Sequence, residues 1–172
     1  MILLIILSAY FSGSETAMMA LNRYRLKHLA NKGNSGAKRA SRLLERPDRL
    51  LGVILIGNNF VNFTAASIAT IIALRLLGES AVAIAPIACT LIFLILAEVA
   101  PKTIAAAYPE KLALPSSHIL RPLLWILYPL VWMVNGVSNG LLWMLGIKYE
   151  DASDDNLTKD ELRTLVFEGS KI

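Results

Sequence analysis

From Ala81 to Tyr108 the sequence is almost pure hydrocarbon, yet it carries Glu98, Pro101 and Lys102 near its end. A run of about 20 apolar residues is enough to cross a bilayer as a helix. This run therefore places a carboxylate and an ammonium where a membrane helix would carry leucine, and such residues are costly there unless they serve a function. Pro101 has no N–H, so the hydrogen bond that would reach back to the Ala97 carbonyl is lost. A carboxylate beside a freed carbonyl is one way in which broken membrane helices bind cations. The competing reading is that Pro101 marks the helix end, with Lys102 snorkelling to the headgroups and Glu98 as its i,i+4 partner.

The rest of the chain is of the same kind. Of its 172 residues 55% are hydrophobic and 17% charged, against about 45–50% and 25% in soluble domains. The apolar residues fall in long blocks, so the expected class is an all-α integral membrane protein. Residues 1–21, 51–77 and 81–108 are the expected crossings. Cys89 is the one cysteine, which rules out an internal disulfide and a thiolate metal site. The chain begins inside its first apolar run, with no basic region or cleavage pattern ahead of it, which argues against a removable signal peptide.

Between the first two crossings lies a basic stretch, Asn22 to Leu50. It reads as two short helices around an Asn31–Gly36 turn, the second stopped by Pro47. Short basic loops are cytosolic by the positive-inside rule, which puts the N-terminus outside. Anionic headgroups explain these lysines and arginines more simply than nucleic acid does, and His28 reads as a surface residue. Residues 119–147 are apolar enough to span, but they hold Pro122 and Pro129, several Asn, Ser and Gly residues, and Trp125, Trp132 and Trp143. Such a composition suits a bent element at the membrane interface. If it crosses, the tail is outside; if it lies along the membrane, the tail is cytosolic. Lys111 and Arg121 on one side balance Lys148 on the other. The acidic tail, residues 150–172, has a short helix pattern whose apolar face implies a further domain beyond it.

Each crossing carries one polar cluster. On the first, Ser8, Ser12 and Glu15 share a helical face, with Gly13 and Ala17 allowing close backbone approach. On the second, Gly57-Asn58-Asn59 is followed by Asn62, with Asn58 and Asn62 one turn apart. On the third is Glu98. Interhelical hydrogen bonding would account for the amides and hydroxyls, but poorly for the acids. Counted from the cytosolic ends, the clusters lie at similar depths. Hydroxyls, amide oxygens and one carboxylate, with no histidine or cysteine among them, select a hard cation, Mg²⁺, Ca²⁺, Mn²⁺ or Na⁺, and six-coordinate Mg²⁺ and Mn²⁺ fit such a set equally. No His-Glu-x-x-His or Gly-x-Ser-x-Gly motif is present, so an intramembrane enzyme is not expected. The function classes left open are a carrier that moves the ion, a magnesium sensor or scaffold that regulates other transporters and, less favoured because no pore-lining repeat is visible, a channel.

Ser12-Gly13-Ser14-Glu15-Thr16-Ala17, Gly57-Asn58-Asn59-x-x-Asn62 and Glu98-x-x-Pro101-Lys102, in this order and spacing, resemble the transmembrane domain of the CorC/CNNM (cyclin M) magnesium transporter family. Leu157 to Val166 resembles the acidic linker that precedes the family's paired CBS domains. The resemblance implies a homodimer of three-helix protomers, an interfacial belt at residues 119–147 and a cytosolic C-terminus in a plasma or inner membrane. It implies Mg²⁺ efflux driven by inward Na⁺, regulated by a nucleotide-binding CBS pair that lies outside these residues. The implied ligands are Ser8 or Ser12, the Gly57, Asn58, Asn59 and Asn62 group, and Glu98. Gly13, Pro101 and Lys102 would shape the site, and Ser14 and Glu15 are the candidates for a Na⁺ or gating role.

Overall fold

The computed structural model describes residues 1–146; the expected acidic linker, 150–172, and the end of the expected belt lie outside them. The chain divides into two units, Met1–Val131 and Trp132–Ile172. The described residues are all helix and turn. They form α1 (Ile2–Ala20), α2 (Arg23–Asn31), α3 (Ser35–Leu43), α4 (Pro47–Leu77), α5 (Ala81–Phe93), a π-helical turn (Leu94–Val99), α6 (Ala100–Ala107) and α7 (Pro109–Met144). Four stretches are long and apolar enough to cross a membrane: Ile2–Ala20, Pro47–Leu77, Ala81–Ala107 and Pro109–Met144. By length and composition the last of these joins the three crossings expected from the sequence.

Local chemistry explains the boundaries. The Asn22 side chain accepts from the backbone N–H groups of Tyr24 and Arg25, and that of Asn34 accepts from Ala37, so two asparagines cap α2 and α3. Pro47 opens α4 four residues earlier than the apolar pattern suggests, because the first helical position needs no N–H. Gly78, at φ 81°, ends it.

The first unit is built around α1, which packs against α4, the π turn and α6. Its second half buries Phe11, Ser12, Gly13, Ser14, Ala17 and Met18. The basic helices α2 and α3 sit beside the start of α7: Ser117 Oγ reaches the Gly36 carbonyl at 3.4 Å, and Arg25 pairs with Glu110. Helix α7 is longer than the expected belt and stays helical through Pro115, Pro122 and Pro129. These prolines recur every seventh residue. Their missing hydrogen bonds therefore fall on one face, which is how a long helix curves.

Gly57 owes its place to a neighbour. A Cβ there would lie 2.5 Å from Phe11 Cζ, so the α1 ring fills the space above the glycine. Gly57→Ala should therefore destabilise the fold by about 1–3 kcal/mol, as overpacking does. The same change in a Phe11→Leu background should cost less, and thermal unfolding of the four proteins in one detergent measures the coupling.

Candidate cation site

The site is assembled from three helices. Ser8, on α1, is fully buried. Its Oγ lies 2.6 Å from Asn62 Oδ1 and 3.1 Å from Asn58 Oδ1 on α4. A hydroxyl has one proton to donate. Two amide oxygens converging on it leave one without a full donor, and the hydroxyl keeps its own lone pairs. One turn further along α1, Ser12 is also fully buried, and its Oγ has no hydrogen-bond partner among the described residues.

Asn62 in turn lines a cavity of about 250 Å³ with Glu98, Thr90, Cys89, Ala66, Phe93 and Leu94, so the thiol that the sequence pattern leaves out of the polar clusters stands on its wall. Glu98 is half-buried there, within the π-helical turn. Among the described residues it forms no ion pair; Lys102, four residues on, does not reach it. The i,i+4 pair that would have accounted for both charges is thus not made. No three His, Cys, Asp or Glu side chains gather among the described residues; the cavity lining offers one carboxylate, the Asn62 and Thr90 side-chain oxygens and the Cys89 thiol.

The π turn is the local consequence of Pro101. The Ala100 N–H reaches back five residues to the Ile95 carbonyl. The Leu96 carbonyl then has no donor: its α-helical partner, Ala100, is engaged at Ile95, and its π-helical partner, Pro101, has no N–H. The freed acceptor thus includes the residue before the Ala97 carbonyl expected from the proline alone. The widened turn carries Glu98 on the face that borders the Asn62 cavity. Gly13 packs against Pro101, with its Cβ position 3.6 Å from the proline ring and carbonyl. Two of the three residues expected to shape the site therefore meet each other.

Other expected residues point elsewhere. Asn59 is exposed and forms no hydrogen bond with Ser8. Gly57 lies under Phe11 within an unbroken helix. Ser14 is buried on another side of α1, where its Oγ lies 3.0 Å from Ser116 Oγ, and Tyr10 donates to the Ser116 carbonyl at 3.2 Å. These residues line a second cavity, of about 350 Å³, with Pro101. Glu15 and Lys102 are half-buried and unpaired among the described residues. Thr90 was not expected at the site. Its hydroxyl donates to the Pro86 carbonyl at 2.7 Å, and its place eight residues before Glu98 on the same run was the signal that could have found it.

A family model described as the Cyclin M transmembrane N-terminal domain matches residues 1–171. The chain is 54% identical to the UPF0053 inner membrane protein YfjD of Escherichia coli, over 94% of this chain and 38% of that protein. It is 48% identical to a UPF0053 protein of Haemophilus influenzae, over 99% of this chain and 40% of the relative. At 28% identity it matches a polyamine export protein of Haemophilus influenzae, over 98% of this chain and 41% of the relative. The chain thus spans about two fifths of the length of these relatives.

The two serines should behave differently when no ion is bound. Ser8→Ala removes the proton shared by two amides and should cost about 1 kcal/mol. Ser12→Ala removes an unpartnered buried oxygen and should be neutral or stabilising. Thermal unfolding in EDTA distinguishes them, and equal losses would contradict the bonding described.

Proposed function

The chain belongs to the Cyclin M transmembrane N-terminal domain family, and from that membership we propose that it is the membrane part of a Mg²⁺ transporter. Mg²⁺ is held between α1, α4 and the π turn by Ser8, Ser12, Asn58, Asn62 and Glu98. One observation carries the reading. The half-buried Glu98 carboxylate, without a cationic partner among the described residues, borders the same cavity as Asn62. Beside it stand more oxygen acceptors than protons to fill them. Such a cluster is uncomfortable when empty and is relieved by a hard cation. A single carboxylate compensates only part of a divalent charge, which suits a site that must release its ion.

In this reading the first three apolar runs cross the membrane, with the N-terminus outside, and residues 119–147 form a belt at the cytosolic interface. The belt is favoured by the start of α7, which packs beside the basic α2 and α3 and pairs Glu110 with Arg25. Exposed Ser138 and Asn139 farther along also suit an interface better than lipid. Two protomers associate, and the exposed Asn59, Phe60 and Phe63 face of α4 suits that contact. Mg²⁺ leaves the cell as Na⁺ enters. Ser14, on the wall of the second cavity, and its sequence neighbour Glu15 serve the Na⁺ or gating step, and a cytosolic CBS pair regulates the cycle.

The names of two relatives raise a second reading, polyamine export. A polyamine carries several ammonium groups spaced along a chain and calls for several acids. Glu98 is the one carboxylate at this cavity, which favours the compact ion. A sensor that binds Mg²⁺ without moving it would use the same ligands.

Mg²⁺ should raise the melting temperature of the purified protein, as a ligand of the native state does. Glu98→Ala and Asn62→Ala should remove the shift while leaving the oligomer intact. In proteoliposomes with a Na⁺ gradient, the parent should move Mg²⁺ and Glu98→Ala should not. Full transport by Glu98→Ala would overturn the site, binding without flux would favour the sensor, and Na⁺-independent spermidine flux without Mg²⁺ flux would favour the polyamine reading.

A further inference from the structure

The basic stretch contains more than diffuse positive charge. Arg39 and Arg42 on α3, Arg46 and Arg49 at the start of α4, and Arg121 on α7 line one cavity of about 220 Å³, floored by two leucines. No carboxylate of a described residue lines it, and none of the five arginines forms an ion pair with a described residue, although Glu45 and Asp48 are their neighbours in sequence. The buried Nε of Arg39 has no hydrogen-bond partner among the described residues. Arg49 rests over the Tyr128 ring, 5.0 Å from its centre, which positions its guanidinium without neutralising it. Like charges converging from three helices repel one another. A buried N–H without an acceptor adds to that cost. Both are relieved by the same partner: a compact anion with several acceptor oxygens.

We propose that this cavity binds a phosphate group. Guanidinium forks match phosphate oxygens in bidentate geometry, and several together form a phosphate clamp. The nearest source is an anionic phospholipid headgroup. Arg46 and Arg49 stand where the 31-residue apolar helix α4 begins, and Arg121 is followed by the exposed Trp125 and Ile126, along which acyl chains can lie. The clamp ties α3, α4 and α7 together at one end of the first unit and so couples their packing to the lipid around them. It shares no residue with the cation site, and the two proposals stand or fall separately.

The test uses the purified full-length protein. Retention of phosphatidylglycerol is measured by native mass spectrometry after reconstitution in mixed phosphatidylglycerol and phosphatidylcholine nanodiscs. Parent and Lys38→Gln, an exposed α3 change outside the cavity, should retain phosphatidylglycerol equally. Arg39→Gln/Arg121→Gln should lose at least about tenfold in retention, the scale of one lost charge-assisted contact. Arg46→Gln/Arg121→Gln, which alters only exposed side chains, gives the same readout should Arg39→Gln fail to fold. Release of the lipid by millimolar glycerol 3-phosphate or inorganic phosphate in the parent alone would support the clamp and assign its ligand to the phosphate rather than the acyl chains. Equal retention by the cavity variants and the parent, or an equal loss in Lys38→Gln, would overturn it.

Discussion

A bilayer interior supplies no water to satisfy a polar group, so each one must find a partner inside the protein or be kept for something that binds there. This chain obeys the rule almost throughout. Thr64, Ser67, Thr70 and Thr103 return their hydroxyls to the carbonyl one turn back on their own helix. Ser14 and Tyr10 spend theirs on Ser116. Among the described residues the departures on α1, α4 and the π turn are the unpartnered Ser12 hydroxyl, the two amides that share the Ser8 proton and the unpaired Glu98, while Glu15 on α1 and Lys102 on α6 are half-buried and unpaired as well. The first three groups lie on elements that pack together, and there oxygen acceptors outnumber the protons that could fill them.

Helix α1 is the part that makes this arrangement possible. Its small residues face two ways. Ser8 meets α4, while Gly13 and Ser14 meet Pro101 and Ser116. With no hydrophobic force to hold helices together in lipid, such close contacts between small residues and backbone supply much of the adhesion. Gly57 plays the complementary part on α4, where only a missing side chain admits the Phe11 ring. The elements that hold the bundle together are therefore the immediate neighbours of the ones that leave oxygens unsatisfied, and changes in packing can be felt at the cavity.

Much of this is legible in the sequence, for identifiable reasons. The apolar blocks reveal the helices because crossing a membrane imposes a length. Ser8, Asn58 and Asn62 can be paired because helical spacing puts each set on one face and matching depth brings the faces together. Pro101 announces a broken hydrogen bond wherever it stands. What is not legible depends on packing. Spacing alone puts Asn59 beside Asn62, yet it turns outward. Pro101 predicts a freed Ala97 carbonyl, but the helix answers by widening into a π turn, which shifts the deficit to include Leu96. The prolines of α7 look like breaks, but their regular spacing lets one helix run from Pro109 to Met144. The arginine cavity draws on residues as far apart as Arg39 and Arg121, and no local pattern marks such a convergence.

The central claim is that the unsatisfied oxygens of α1, α4 and the π turn surround one divalent ion. Anomalous scattering from crystals grown with Mn²⁺ in place of Mg²⁺ tests it most directly. The account predicts a peak in the cavity between Asn62 and Glu98, within about 2.5 Å of a Glu98 carboxylate oxygen. A metal peak elsewhere, with Glu98 turned to the headgroups and its cavity holding none, would contradict it.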